Sequence, residues 1–525
     1  MYDYVIVGAG SAGCVLAARL SENPDVSVLL LEAGPPDTKQ NIHVPLGYLK
    51  LARTEIDWDI HSAPEPNCNG RRVPLPRGKV LGGSSSINAM VYIRGNHLDY
   101  DEWGVEGWSW DDVFPYFLRA EDNERGESEW HAVGGPLPVS DQRSGNAMPA
   151  AFVEAAVEAG LDRNEDFNGA LQDGAGMYQV TQRGGMRAST AVAYLHPAAE
   201  RPNLTVMPST HVTRVLLEGT RAVGVEASRA GEIEELRAER EVIICGGAYN
   251  SPQLLMLSGI GPAEHLEMRE VEVRLDLPGV GENLSDHAAA FSVWTTPEPE
   301  SLLLALEPAA LEEFDARQTG PFASNFAEAG AFARVEPGAA APDIQFHFVP
   351  LQIVEEGFGD PEAHGVWVSP CLLTPHSRGS VRLASEDPMA KPVIRNRFYE
   401  EQGDMERMVA ALRLMDEICS RPAIARYCAQ PYTVPAGDSE EDLRAHIAAT
   451  TFPIYHPVGT CAIGSVVDEE LRVKGAEALR VVDASVMPKV PRGNTNAPTI
   501  AVAERAADLI KGTEPLRHSA EASAA

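Results

Sequence analysis

Six residues near the start of the chain, Gly8-Ala9-Gly10-Ser11-Ala12-Gly13, have the types and spacing to hold a diphosphate. Gly8 permits a tight turn, Gly10 lets backbone approach a pyrophosphate, and Gly13 lets a helix pack closely on a strand. Ser11 and Ala12 open the segment whose free N–H groups and partial positive charge would face the phosphates. Glu32 stands nineteen residues beyond Gly13 and is followed by Ala33. A carboxylate at that distance suits a ribose 2′-hydroxyl and would repel a 2′-phosphate. The chemistry on offer is dinucleotide binding. A strand–turn–helix without a ligand shares the glycines, and the acid in register favours the ligand.

These residues need a frame. Tyr4-Val5-Ile6-Val7 reads as a short buried strand, 14–20 as a helix with apolar spacing, and 26–31 as a second strand. A second glycine-rich stretch follows, Arg77-Gly78-Lys79-Val80-Leu81-Gly82-Gly83-Ser84-Ser85-Ser86-Ile87-Asn88-Ala89-Met90-Val91. It reads either as a loop-to-helix cradle for an anion and a ring, or as a Ser-rich cap of a buried helix. Aromatic residues across 99–119 predict a helix with its stripe in the core. Amphipathic helices are expected over 150–160 and 406–419, and a final helix over 500–510. Strands are expected at 203–206, 210–217 and 241–245. From about 288 to 463 the composition changes, and strand-like runs at 331–335, 344–349, 367–373 and 379–384 predict an antiparallel sheet with helices on one side.

A chain of 525 residues is too long for one core, so two domains are expected. The formal charge of −33 opposes nucleic acid and anionic membrane surfaces. Seven cysteines without a CxxC pair argue for reduced thiols and a cytoplasmic protein, and no metal-ligand cluster stands out. The glycine motif begins so early that it leaves no room for a signal peptide, and no apolar run has the length of a transmembrane segment. The tail after Lys511 is small and polar and is expected to fray.

Five stretches together resemble the glucose–methanol–choline (GMC) flavin oxidoreductases. They are 8–13, 77–91, Gly247-Ala248-Tyr249-Asn250-Ser251-Pro252 running on to Pro262, Tyr455-His456-Pro457-Val458-Gly459-Thr460, and Val482-Asp483-Ala484 leading to Asn494-Thr495-Asn496-Ala497-Pro498-Thr499. They occur in the family's order, and the choline-dehydrogenase-like and aliphatic alcohol dehydrogenase branch is the most similar. The resemblance implies a Rossmann-like α/β FAD-binding domain over 1–150, 196–287 and 464–525. It implies an α+β substrate domain with an antiparallel sheet over 151–195 and 288–463. FAD contacts carry over to the first glycine loop with Glu32 and Ala33. They carry over as well to Val80, Gly82, Ser84, Asn88, Ala89, Met90, Val91, Val212, Asp483, Ala484, Thr495, Asn496 and Thr499. Some members attach FAD through a His just before the amide of the glycine–serine loop. Ile87 takes that place here, so non-covalent FAD is expected.

The resemblance also makes His456 the base, or the anchor of an alkoxide, with Asn494 as its partner. Alcohol oxidation needs a group to take the hydroxyl proton while hydride leaves carbon, and an imidazole suits that task near neutral pH. An amide at Asn494 can donate to the developing alkoxide in any protonation state. Choline-oxidising members place a carboxylate two residues beyond the pair matching Asp286-His287, where this chain has Ala289, so choline is disfavoured. The expected reaction is oxidation of a neutral, apolar or aromatic primary alcohol to the aldehyde. Its electrons would pass to oxygen or to a quinone-type acceptor. Val458 beside the site is apolar, as in some oxidases, and does not decide between them. Hydroxynitrile lyases and light-driven fatty-acid decarboxylases share the fold and are the alternative reading, together with a choline dehydrogenase.

Overall fold

In the computed structural model, which describes residues 1–354 and 359–516, the first apolar run becomes the strand Tyr2–Val7 at the centre of a sheet. It pairs in parallel with Val28–Leu31 on one side and Glu232–Ile244 on the other, with Val5 opposite both Leu29 and Val242. Leu204–Met207 adds in parallel beyond Val28–Leu31, and Leu479–Val481 adds along 242–244. Val5, Ile6, Leu29, Leu30, Val242 and Ile243 have no exposed surface. Strands covered on both faces need unbroken apolar runs, which is why these segments are plain in the sequence. The helices Ser11–Leu20 and Asn496–Lys511 pack together, and Arg19 of the first pairs with buried Glu504 of the last. Chain start and chain end are thus joined at one sheet.

A second sheet is antiparallel. Its order is Gln430–Thr433, Ser292–Thr295, Gly365–Leu372, Ile344–Val349, Ala329–Ala333 and Gly174–Met177. The helices Met148–Glu158 and Gln402–Cys419 cover one face, where Phe152, Met408 and Leu412 join Ile344, Phe346 and Phe348 in one apolar cluster. Alternation along the strand sends Gln345, His347 and Val349 to the opposite face. That face looks toward the first sheet, and the functional site lies between the two.

Three expectations change. The stretch 77–91 contains the 3₁₀ turn Gly83–Ser86 and no α-helix. Gly82, Gly83 and Met90 have φ of +86°, +53° and +57°, which an α-helix cannot carry, and Asn88 Oδ1 takes the Met90 N–H at 3.0 Å. The aromatic segment forms two helices, His97–Asp101 and Trp110–Ala120, because Gly104 and Gly107 between them are left-handed. Its rings Trp108, Phe114, Tyr116 and Phe117 are buried as the stripe implied. The run at 379–384 leaves the second sheet and forms its own ladder, Ser380–Arg382 with Val393–Arg395.

The last helix stops at Lys511, where Gly512 turns left-handed at φ 66°. The tail expected to fray is described only to Leu516, and the rest lies outside the described residues. Among the described residues no helix is long and apolar enough to cross a membrane. All seven cysteines are free thiols.

Candidate active site

A cavity of about 390 Å³ runs between the sheets from the first glycine loop to His456. At one end three helix N-termini meet. The helices Ser11–Leu20, Gly247–Leu257 and Asn496–Lys511 all contribute lining residues from their first turns. No side chain caps the first or the last of them, so their N–H groups remain for a ligand. The middle one is capped by Asp483, whose Oδ2 accepts from Gly247 N–H at 2.9 Å and from Ser251 Oγ–H at 2.5 Å.

The glycines make this end narrow. A Cβ on Gly13 would lie 1.9 Å from the Gly8 carbonyl oxygen, so helix and strand touch only because Gly13 carries none. On Gly10, a Cβ would meet only Gly83 Cα at 4.0 Å and would fill the cavity instead. Glu32 lines the wall while its two oxygens accept from Ala9 N–H and Gly34 N–H, each at 2.9 Å. The acid therefore braces the glycine loop as well as facing the space a ribose would use. Burial lifts its carboxyl to about 7. A phosphate-sized cradle, a ribose-facing acid and a long channel beyond fit an FAD.

The other end is built around His456. Tyr455 before it is left-handed at φ +66°. Arg77 Nη2–H donates to the Tyr455 carbonyl at 2.8 Å, and Asp286 Oδ1 accepts the His456 N–H at 2.7 Å. The single peptide unit joining the left-handed Tyr455 to His456 is thus held at both its carbonyl and its N–H. The ring is gripped as well. His456 Nδ1 lies 3.0 Å from His287 Nδ1, and Asn494 Nδ2 lies 3.2 Å from His456 Nε2. Burial above all, then His287, His347 and Arg77, holds the His456 ring well below its ordinary range. Burial also takes His287 down to about 3 and His347 down to about 4. These imidazoles are neutral near pH 7. The space in front of them is walled by Tyr48, Phe291, Phe326, Ile353, Trp367 and Phe452.

Nineteen of the residues singled out in the sequence line this one cavity. Gly13, Val80 and Gly82 stand behind its wall. Gly13 gives the close helix–strand contact, Val80 is buried with Ile42, Ile56 and Ile87, and Gly82 bonds the Ala9 carbonyl through its N–H at 2.8 Å. Sequence reasoning assigns no role to His347 or Gln345. Their signal is weak but present, as polar residues alternating within an otherwise apolar strand. His287 enters the sequence reading only as part of the pair with Asp286.

The sequence profile described as GMC oxidoreductase matches residues 2–289 with its N-terminal part and 375–503 with its C-terminal part. An alcohol dehydrogenase [acceptor] of Pseudomonas putida is 42% identical over 97% of this chain and 96% of its own length. An oxygen-dependent choline dehydrogenase of Sinorhizobium fredii is 42% identical over 98% of this chain and 97% of its own. Among solved structures, an Aspergillus oryzae formate oxidase, reported for its FAD modification, superposes with a TM-score of 0.91 at 27% identity, covering 97% of this chain and 98% of that one. The protein therefore belongs to the GMC oxidoreductase family, with the family's fold at full length.

Proposed function

We propose that this enzyme oxidises a neutral, apolar or aromatic primary alcohol to its aldehyde, using non-covalent FAD. One observation carries the reading: a neutral imidazole with an amide at its Nε2 closes an apolar space that continues into the phosphate cradle. When bound, FAD supplies the acceptor for the hydride that leaves the carbinol carbon. His456 Nε2 takes the hydroxyl proton, which a low-pKa imidazole can do throughout the neutral range. Asn494 has two N–H donors and directs one to the alcohol oxygen as negative charge develops on it. The aromatic wall keeps water from the reacting carbon. With FAD bound, the hydride would leave carbon with its electron pair as the C=O bond forms and His456 Nε2 holds the O–H proton, so atoms and electrons balance.

FAD would be held by the first glycine loop, Glu32 and Ala33, by Ser84 with Asn88 to Val91, by Val212, and by Asp483, Ala484, Thr495, Asn496 and Thr499. Ile87 offers no nucleophile for a covalent link, so acid precipitation should release all the flavin. What argues against a cationic substrate is the charge of the lining, in which the Arg77 guanidinium is held by the Pro76 and Tyr455 carbonyls. The carboxylates of the lining are Glu32 and Asp483 at the dinucleotide end, while Ala289 is fully buried and has no charge to give an ammonium. We assign the cofactor to 1–150, 196–287 and 464–525, and the alcohol to 151–195 and 288–463.

The test is an anaerobic panel of alcohols read by flavin absorbance. Bleaching by benzylic or medium-chain alcohols, and none by choline, is the expected result. Faster bleaching by choline than by any neutral alcohol would refute the substrate class. Cyanohydrin cleavage, or carbon dioxide release under blue light, without bleaching by any alcohol would make the protein a lyase. Peroxide formed in air, compared with dye reduction, separates oxygen from a quinone-type acceptor.

A further inference from the structure

Two hydrogen-bond chains reach the His456 ring, one at each nitrogen, and each begins at a main-chain carbonyl. A carbonyl can only accept, so each chain has a fixed direction. In the first, His287 Nε2 lies 3.2 Å from the Leu373 carbonyl oxygen. That nitrogen must carry the proton, because a bare nitrogen there would set two lone pairs against each other. A second carbonyl, that of Pro491, also faces this ring. A neutral His287 then has a bare Nδ1, which accepts from His456 Nδ1–H at 3.0 Å.

The second chain starts at the Phe346 carbonyl, which accepts Tyr178 Oη–H at 2.8 Å. The Tyr178 oxygen must in turn accept, so Gln345 presents its NH₂ group, donating to Tyr178 at 3.0 Å and to Asn494 Oδ1 at 3.3 Å. That orientation leaves Asn494 Nδ2–H to donate to His456 Nε2 at 3.2 Å. Gln345 Oε1 is left without a partner by this arrangement. His287, Gln345 and Tyr178 are all buried, and none lines the cavity.

We propose that His287 and the Gln345–Tyr178 pair are positioning residues that fix His456 as the Nδ1–H tautomer, so that only its Nε2 can take a proton. The two chains come from different elements and act at opposite ring nitrogens, and the proposal requires both to hold the one tautomer. This rests on the reading of His456 as the base. The other groups facing the ring, His347 and Arg77, and Asp286 on the main-chain N–H, supply no carboxylate to either ring nitrogen. Proton acceptance at Nε2 leaves Nδ1–H in place on His287, while the Asn494 N–H that occupied the Nε2 lone pair must leave it and turn to the alcohol oxygen.

The test uses FAD-loaded protein with ¹⁵N-labelled histidine, read by ring-nitrogen NMR. The His456 signals are identified by their loss in His456→Ala. The expected spectrum has a protonated Nδ1 and a bare Nε2 on His456, and the reverse assignment overturns the proposal. Two variants extend the test. His287→Asn keeps an acceptor oxygen near the Nδ1 position and should retain the spectrum and the anaerobic reduction rate within about threefold. His287→Leu removes the acceptor, should give signals of both tautomers, and should slow reduction about tenfold or more. An unchanged spectrum and rate in His287→Leu would overturn the proposal. If His287→Leu does not fold, the wild-type and His287→Asn spectra decide. If His456→Ala still reduces FAD at the normal rate, the base reading falls, while the nitrogen spectrum judges the tautomer on its own.

Discussion

His456 and His131 are almost equally buried, 8% and 7% exposed, yet they hold opposite charge states near pH 7. His131 lies between two carboxylates, with Nδ1 3.0 Å from Glu121 and Nε2 2.8 Å from Asp166. Burial lowers its pKa, but the hydrogen bonds to Asp166 and Glu121 outweigh burial and lift it to about 8. Arg94, itself buried, adds a second cation at 2.8 Å from Glu121, so the cluster balances two positive charges with two negative ones. His456 has an imidazole and an amide at its ring nitrogens instead. Burial there is opposed by nothing, and the ring stays neutral. The lesson is that partners, and not depth, separate the neutral imidazole of the proposed base from a buried imidazolium. The same residue type serves both purposes in one chain.

The comparison can be broken at either end. The largest effect belongs to His456→Ala, which should slow anaerobic flavin reduction by about a thousandfold while FAD stays bound. A rate within about tenfold of the native enzyme would move the proton elsewhere. Glu121→Gln should cost about 3–5 kcal/mol of unfolding free energy, because it leaves a buried guanidinium and imidazolium short of charge. Denaturant titration measures that cost, and the folded fraction should still reduce its flavin normally.

Asn494→Ala should slow reduction by about a hundredfold, the usual loss for one donor to a developing oxyanion. The pH behaviour of His131 sharpens the contrast further. Its folded pKa of about 8 exceeds the unfolded value near 6.5, so its contribution is complete below 6.5 and disappears as pH rises past 8. The stability gap between native protein and His131→Gln should therefore shrink by about 2 kcal/mol between about pH 6 and 9. At the active site the sign is reversed. A base whose pKa is held well below 6.5 is already neutral at 6.5, so reduction should be flat from pH 6.5 upward, with any acid limb well below that. A limb centred near 7 would point instead to Asp286, whose carboxyl is lifted to about 7 by burial and which accepts the His456 N–H.

Where one local rule sufficed, the elements were legible. The runs at 4–7 and 28–31 are apolar throughout because both faces are covered, and Gly8 and Gly13 mark a turn and a close contact that only glycine can make, while Gly10 keeps the cavity open. The helices Met148–Glu158 and Gln402–Cys419 were visible through their apolar spacing, with starts displaced by a few residues. The stretch 77–91 was ambiguous because its outcome depends on left-handed residues, Met90 among them, that nothing in local composition announces. The run at 379–384 has strand character, but its choice of partner, Val393–Arg395, is a matter of long-range pairing.

The sequence by itself determined the glycine-rich loop after the first strand, the two kinds of sheet, and the choice of His456 and Asn494 as the proposed pair. Those follow from residue types at short spacing and from motifs in a fixed order. Only the tertiary structure decided what surrounds the pair. It brought His287 from 169 residues away and Gln345 from 149 residues away from their partners, and it kept carboxylates off the His456 ring. Charge state and tautomer depend on distance in space and on which atoms are left to donate or accept. Neither is encoded in the neighbours along the chain.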